Sequence, residues 1–187
     1  MAGANDVIRL VTPRDVGLSL DPEENADTYV GNAQIKARAF ANAVPPSLLG
    51  EGLGVGWVLA DDSGLEVDAL GGRPGLHSAR YHKNVPDGDG CAALLHEMAA
   101  VPEVKRGARF RCVIVLVSPD GGEHEFEGLC EGRIGHEKRG EGGFGFDPVF
   151  DVGDGRTMAE LTAQEKHHIS HRGVAARKVA EFLVRNH

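Results

Sequence analysis

The sequence predicts an α/β fold, a mixed twisted sheet with flanking helices, from three features. Strand-like and helix-like periodicities mix along the chain. The strongly apolar stretch Arg109–Ser118 is joined by the turn Pro119-Asp120-Gly121-Gly122 to a second extended stretch, an antiparallel hairpin. With 41% apolar and 26% charged residues over 187 positions, the composition is that of an ordinary globular protein.

The elements follow in order. Val7–Val11 predicts a short strand ended by Thr12-Pro13. Asp27 or Thr28 caps a helix to about Val44, with Val30, Ala33, Ala37, Phe40 and Val44 recurring at helical spacing as its buried stripe. Pro45-Pro46 stops that helix, and Ser47–Gly54 is a loop. Val55–Ala60 predicts a buried strand that runs into Asp61-Asp62-Ser63-Gly64. Leu65, Val67 and Ala69 then alternate with Glu66 and Asp68 as a half-buried strand. Gly71–Gly75 breaks the pattern, and a helix over about Asp87–Ala100 turns Cys91, Leu94, Leu95 and Met98 inward. The hairpin's second strand covers Glu123–Glu131, a Gly-rich segment fills 140–146, and Pro148–Val152 predicts another short strand. Thr162 with Glu165 three residues on forms a capping box. Ser170 opens the last helix, which places Val179, Phe182 and Leu183 on one face. Residues 1–187 are read as one domain, long enough for a real core.

Charge and cysteines exclude several classes. A net charge of −8 gives no basic field for coating nucleic acid, though a local cluster of cations could still hold a small anionic substrate. The three cysteines, Cys91, Cys112 and Cys130, are far apart and contain no CxxC pair, so neither a zinc ribbon nor a disulfide framework is predicted. The first residues lack a secretion signal, and no apolar run approaches the roughly 20 residues of a membrane span. A soluble, cytoplasmic protein is the expectation.

Three segments concentrate residues that can do chemistry. In Asp61-Asp62-Ser63-Gly64, two adjacent carboxylates repel, and a hard divalent cation with oxygen ligands relieves the repulsion. The same residues also suit a plain turn. In Gly142-Gly143-Phe144-Gly145-Phe146-Asp147-Pro148, glycines let backbone approach a flat ligand, the two phenylalanines offer stacking faces, and Asp147 can accept from base-edge N–H groups. The competing reading is a Gly-rich linker with two core aromatics. Lys166 with Ser170-His171-Arg172-Gly173 makes a pocket for an anion or a base at a helix start, or else a solvated helix face and its cap. A zinc site from His167, His168 and His171 lacks a Cys or HExxH partner pattern.

Taken together and in this order, these segments resemble the inosine-triphosphatase-like family of house-cleaning nucleoside triphosphate pyrophosphatases. The matching stretches are Glu24–Arg38, Ala60–Tyr81 (ADDSGLEVDALGGRPGLHSARY), Gly140–Phe150 (GEGGFGFDPVF) and Met158–Arg172 (MAELTAQEKHHISHR). The resemblance implies two lobes around a central cleft, a homodimer, and Mg²⁺-dependent hydrolysis of deaminated purine nucleoside triphosphates (ITP, dITP, XTP) to the monophosphate and pyrophosphate. It implies no nucleic-acid or membrane partner. Asp62 would be the general base that activates water, with Glu24, Asp61 and Asp62 around the metal. Lys36 would neutralise phosphate charge and Ser63 would touch substrate. Phe144 would stack on the base, with Asp147, His171 and Arg172 reading its edge, Lys166 nearby, and Gly145 and Phe146 also among the substrate-binding residues.

The chain departs from that family at its start. No Ser/Thr-x-Asn-x-x-Lys loop precedes Lys36, so an N-terminal strand-loop-helix unit is expected to be missing, through a displaced start codon, trimming or natural variation. A sheet edge would then lie exposed. The alternative this raises is a nucleotide-binding protein with little or no catalysis. The Nudix route to the same chemistry is discounted, because its Glu-rich helix motif is absent.

Overall fold

The computed structural model describes residues 10–44, 56–81, 85 and 88–186. Its sheet has four strands in the order β1-β2-β3-β4, from β1 (Val58–Val67), β2 (Gly107–Val117), β3 (Glu123–Ile134) and β4 (Phe150–Asp151). Every pairing among these strands is antiparallel. Among the described residues five α-helices accompany them: α1 (Tyr29–Ala43), α2 (Ser78–Tyr81), α3 (Gly90–Glu97), α4 (Ala163–Ile169) and α5 (His171–Arg185). The strand expected at Val7–Val11 and the loop at Ser47–Gly54 fall outside the described residues, apart from Leu10 and Val11, which carry no strand. Among the described residues, β1 has on its outer side only an isolated bridge from Glu66 to Pro74.

The largest difference from expectation is in β1. The sequence predicts two strands separated by Asp61–Gly64, because Asp, Ser and Gly favour turns. The structure has one continuous strand, with Asp61 opposite Ile114 and Gly64 opposite Arg111. The apolar β2, buried along nearly its whole length, supplies an unbroken ladder of partners. That cooperative pairing overrides local turn preference.

Side chains alternate across this ribbon, so each face is packed separately. On one face, Ala60, Val115 and Val117 meet Ala33 and Ala37 of α1. On the other, Cys112, Ile114 and Leu116 meet Ala175, Val179 and Leu183 of α5. Further along the ribbon on the α5 side, Leu65, Val67, Phe110, Cys130 and Ile134 are covered by Leu94 and Met98 and by residues 146–158. The core among the described residues thus falls into three clusters, one on the α1 face and two along the α5 face. Arg106, 1% exposed, joins parts around the last of these: its guanidinium donates to the carbonyls of Met98, Val101, Ile134 and Gly135. These four hydrogen bonds offset the cost of burying the charge.

Candidate active site

The α1 face of β1 gathers one set of groups. Thr28 caps α1 by accepting from the N–H of Gly31. The helix then presents Asn32 and Lys36, one turn apart and therefore on one face, to Asp62. Lys36 Nζ lies 3.1 Å from Asp62 Oδ1, and Asn32 Nδ2 donates to Asp62 Oδ2 at 3.2 Å. Glu24 Oε1 approaches the same Lys36 Nζ at 3.3 Å. The loop carrying Glu24 is anchored twice: the Ala26 N–H donates to Asn32 Oδ1, and Arg80 donates to the Glu24 carbonyl. Asp62 is 8% exposed, so its carboxylate depends on these partners for compensation. Asn32, 3% exposed, is not marked by the sequence, because a single amide on a helix face beside Ala33 and Ala37 carries no distinctive pattern. Its spacing of four from Lys36 was the available signal.

The opposite face gathers the second set. Asp61 projects away from Asp62, and its Oδ2 accepts from Arg172 Nε at 2.9 Å and from the Cys112 thiol at 3.8 Å. Burial, helped by Asp61, pushes the Cys112 thiol up to about 12, so it stays protonated. Ser63, two residues on, shares the face of Asp61. Ser170 caps α5 by accepting from the Gly173 N–H. His171 is buried and stacks on Phe110, with ring centroids 4.9 Å apart. Burial, reinforced by Arg172, pushes its imidazole down to about 4. His171 is therefore neutral at neutral pH, and among the described residues its Nδ1 has no hydrogen-bond partner.

The Gly-rich segment borders this second set. Gly143 adopts φ 78°, and a Cβ there would meet Asp147 Oδ2 at 2.0 Å. Only glycine allows the chain to pass so near that carboxylate. Asp147, 3% exposed, accepts through Oδ2 from the Phe144 N–H and from Lys166 Nζ. Phe144 is 64% exposed, and its ring lies 4.8 Å from Lys166 Nζ and 5.5 Å from Arg172 Cζ. A large, exposed aromatic ring flanked by two cations is a stacking platform for a flat, electron-rich group.

Three expectations change. Asp61 does not join Glu24 and Asp62, because neighbours on a continuous strand point to opposite faces; the carboxylates that converge are Glu24 and Asp62, on Lys36. Phe146 offers no stacking face: it is 3% exposed, lies in the core and packs edge-on against Tyr81. Asp147 serves the loop and Lys166 rather than standing open to a base edge. Gly145 sits beside Phe144 with its carbonyl accepting from the Cys91 thiol. His167 and His168, exposed at the end of α4, stand apart in environment from buried His171. Among the described residues no three His, Cys, Asp or Glu side chains come together as a metal cluster.

The chain matches the Ham1 family over residues 3–182. It belongs to the Ham1 family. A dITP/XTP pyrophosphatase of Symbiobacterium thermophilum is 50% identical over 173 residues, covering 90% of this chain and 81% of that protein. One from Bacillus subtilis is 42% identical, covering 90% and 81%. Among solved structures, the Staphylococcus aureus Ham1 protein superposes with a TM-score of 0.77 at 37% identity, covering 90% of this chain and 82% of that one. A HAM1 protein from Coxiella burnetii gives 0.74 at 37% identity, covering 92% and 89%. No helix among the described residues of this Ham1-family chain is long and apolar enough to cross a membrane.

Proposed function

We propose that this Ham1-family chain is a hydrolase that converts deaminated purine nucleoside triphosphates (dITP, ITP, XTP) and water into the nucleoside monophosphate and pyrophosphate. The dITP/XTP pyrophosphatase relatives support the reaction class. The observation that carries the chemistry is Asp62, buried on β1 between Lys36 and Asn32 with Glu24 across the lysine.

Attack of water on the α-phosphorus needs charge neutralisation, positioning and a proton acceptor more than a covalent intermediate. Asp62 is the acceptor in this reading: a carboxylate held by an amide and an ammonium takes the proton as the water oxygen bonds to phosphorus, and pyrophosphate leaves. Lys36 supplies positive charge for the phosphates. A divalent cation, Mg²⁺ in our proposal, fits the donor set. Mg²⁺ is commonly held by one or two carboxylates together with substrate phosphates, and Glu24 and Asp62 are two carboxylates already drawn to one point of positive charge. Bound there, the ion would neutralise phosphate charge and lower the cost of ionising water.

The other face reads the base. Phe144 stacks on it, with Ser63 nearby, and Lys166, Arg172 and neutral His171 are the available donors. A 6-oxo group accepts from such donors. Adenine's 6-amino group cannot, and each donor left unpaired costs about 1–3 kcal/mol. Association as a homodimer belongs to the proposal on the family resemblance alone, and sedimentation measures it.

The experiment is product analysis with Mg²⁺ present. Pyrophosphate released from dITP, ITP or XTP, with ATP much poorer, is expected. Orthophosphate as the product, or equal turnover of ATP and ITP, would overturn the reaction class or the selectivity respectively.

A further inference from the structure

Asp61 and Asp62 are chain neighbours with different companions. Asp62 is held by α1, through Lys36 and Asn32; Asp61 is held by α5, through Arg172. We propose that Asp61 is a positioning residue for base selectivity, acting by orienting Arg172 beside the Phe144 platform. The inference rests on the reading that Phe144 and Arg172 receive the base.

A guanidinium is planar, so fixing Nε in a 2.9 Å hydrogen bond to Asp61 Oδ2 restricts the plane of the whole fork. Arg172 Cζ lies 5.5 Å from the Phe144 ring centroid. Among the described residues the Asp61 contact uses Nε, and no further hydrogen bond engages the terminal nitrogens of Arg172. Their donors are thus free for a ligand lying on the ring. Without Asp61, a long, half-exposed side chain would spread over several rotamers and bind a base only after being ordered.

The pair is well suited to orient and poorly suited to stabilise. Asp61 and Arg172 have side chains 36% and 45% exposed, and ion pairs so open to water contribute little to folding. Asp61 itself is well fixed: it sits mid-strand opposite Ile114, and the protonated Cys112 thiol donates to the same Oδ2. The strand therefore serves both halves of the substrate. Consecutive residues send one carboxylate to the phosphate side and one to the base side.

Steady-state kinetics of Asp61→Asn with ITP, XTP and ATP test this, together with a Mg²⁺ titration. With ITP, KM is expected to rise about tenfold while kcat changes by less than about threefold, the split left by a lost binding interaction. The Mg²⁺ requirement should not move, and the preference for ITP over ATP should shrink by the same factor as KM rises. Arg172→Lys keeps a cation but loses the fork, so it should show the same loss of preference and reports on the contact even if Asp61→Asn folds poorly. In an Arg172→Ala background, Asp61→Asn should add nothing. A fall in kcat with a higher Mg²⁺ requirement and intact base preference would place Asp61 in the phosphate chemistry and overturn the proposal, as would unchanged kinetics in both variants. Wild-type protein that turns over no deaminated purine nucleotide would instead sink the activity reading beneath it.

Discussion

At the scale of single residues, the chemistry types were legible and their grouping was not. Asp62, Phe144 and Arg172 stand out in the sequence by residue type, as one of two adjacent carboxylates, an aromatic amid glycines and a cation at a helix start, whereas Glu24 and Lys36 enter only through the family resemblance. Two adjacent aspartates, however, read as one cluster until the backbone is known to be extended there, and alternation then assigns them to opposite faces. Phe146 failed as a ligand residue for a related reason: burial depends on its turn, which composition does not reveal. His171 shows what burial does at this scale. Its folded value near 4 lies below its ordinary 6.5. As pH falls through that window the unfolded chain takes up a proton that the native imidazole refuses, so folding stability is lost on acidification between about pH 6.5 and 4. The loss is on the order of 3 kcal/mol when complete. Guanidinium unfolding at pH 7.5 and pH 4.5 is expected to show a smaller acid penalty for His171→Gln than for the wild type; equal penalties would contradict this.

At the scale of elements, helix caps and the hairpin were readable because each rests on local rules. Thr162 caps as the sequence predicts, Thr28 rather than Asp27 takes the first cap, and Ser170 fills the cap that was one of its two readings, while Ser118 closes the hairpin turn by hydrogen bonds to Gly122. The continuity of β1 was not readable, since it is imposed by β2 across the ladder. Nor was the seat of α5. Its first turn approaches β3 at Gly128, where a Cβ would meet the His171 carbonyl at 2.0 Å and the Ala175 nitrogen at 2.6 Å. Both contacts are backbone, so neither can swing aside. Gly128→Ala must push the start of α5 off the sheet, carrying His171 and Arg172 with it. The expected result is a stability loss of about 1–3 kcal/mol in thermal unfolding, with a raised KM for ITP. A variant with wild-type stability and KM would show that α5 is not seated through this approach.

At the scale of the whole molecule, one long antiparallel ribbon carries a helix on each face. That architecture separates two tasks a nucleotide hydrolase must perform together. Groups from α1 and the loop before it meet the ribbon at Asp62, whereas groups from α5 and the Gly-rich loop meet it at Asp61 and Phe144. The α/β class and the order of elements followed from periodicity and turns. The division of labour between faces required the register of β1 against β2, which no single-chain pattern contains. In the proposed reaction Asp62 performs the proton transfer at phosphate while the base is bound elsewhere. Asp62→Asn separates the two, with turnover and calorimetric binding of ITP measured on the same preparation. The expected result is that kcat falls by about a hundredfold or more while ITP affinity changes little. Near-wild-type turnover, or binding lost in step with turnover, would contradict it.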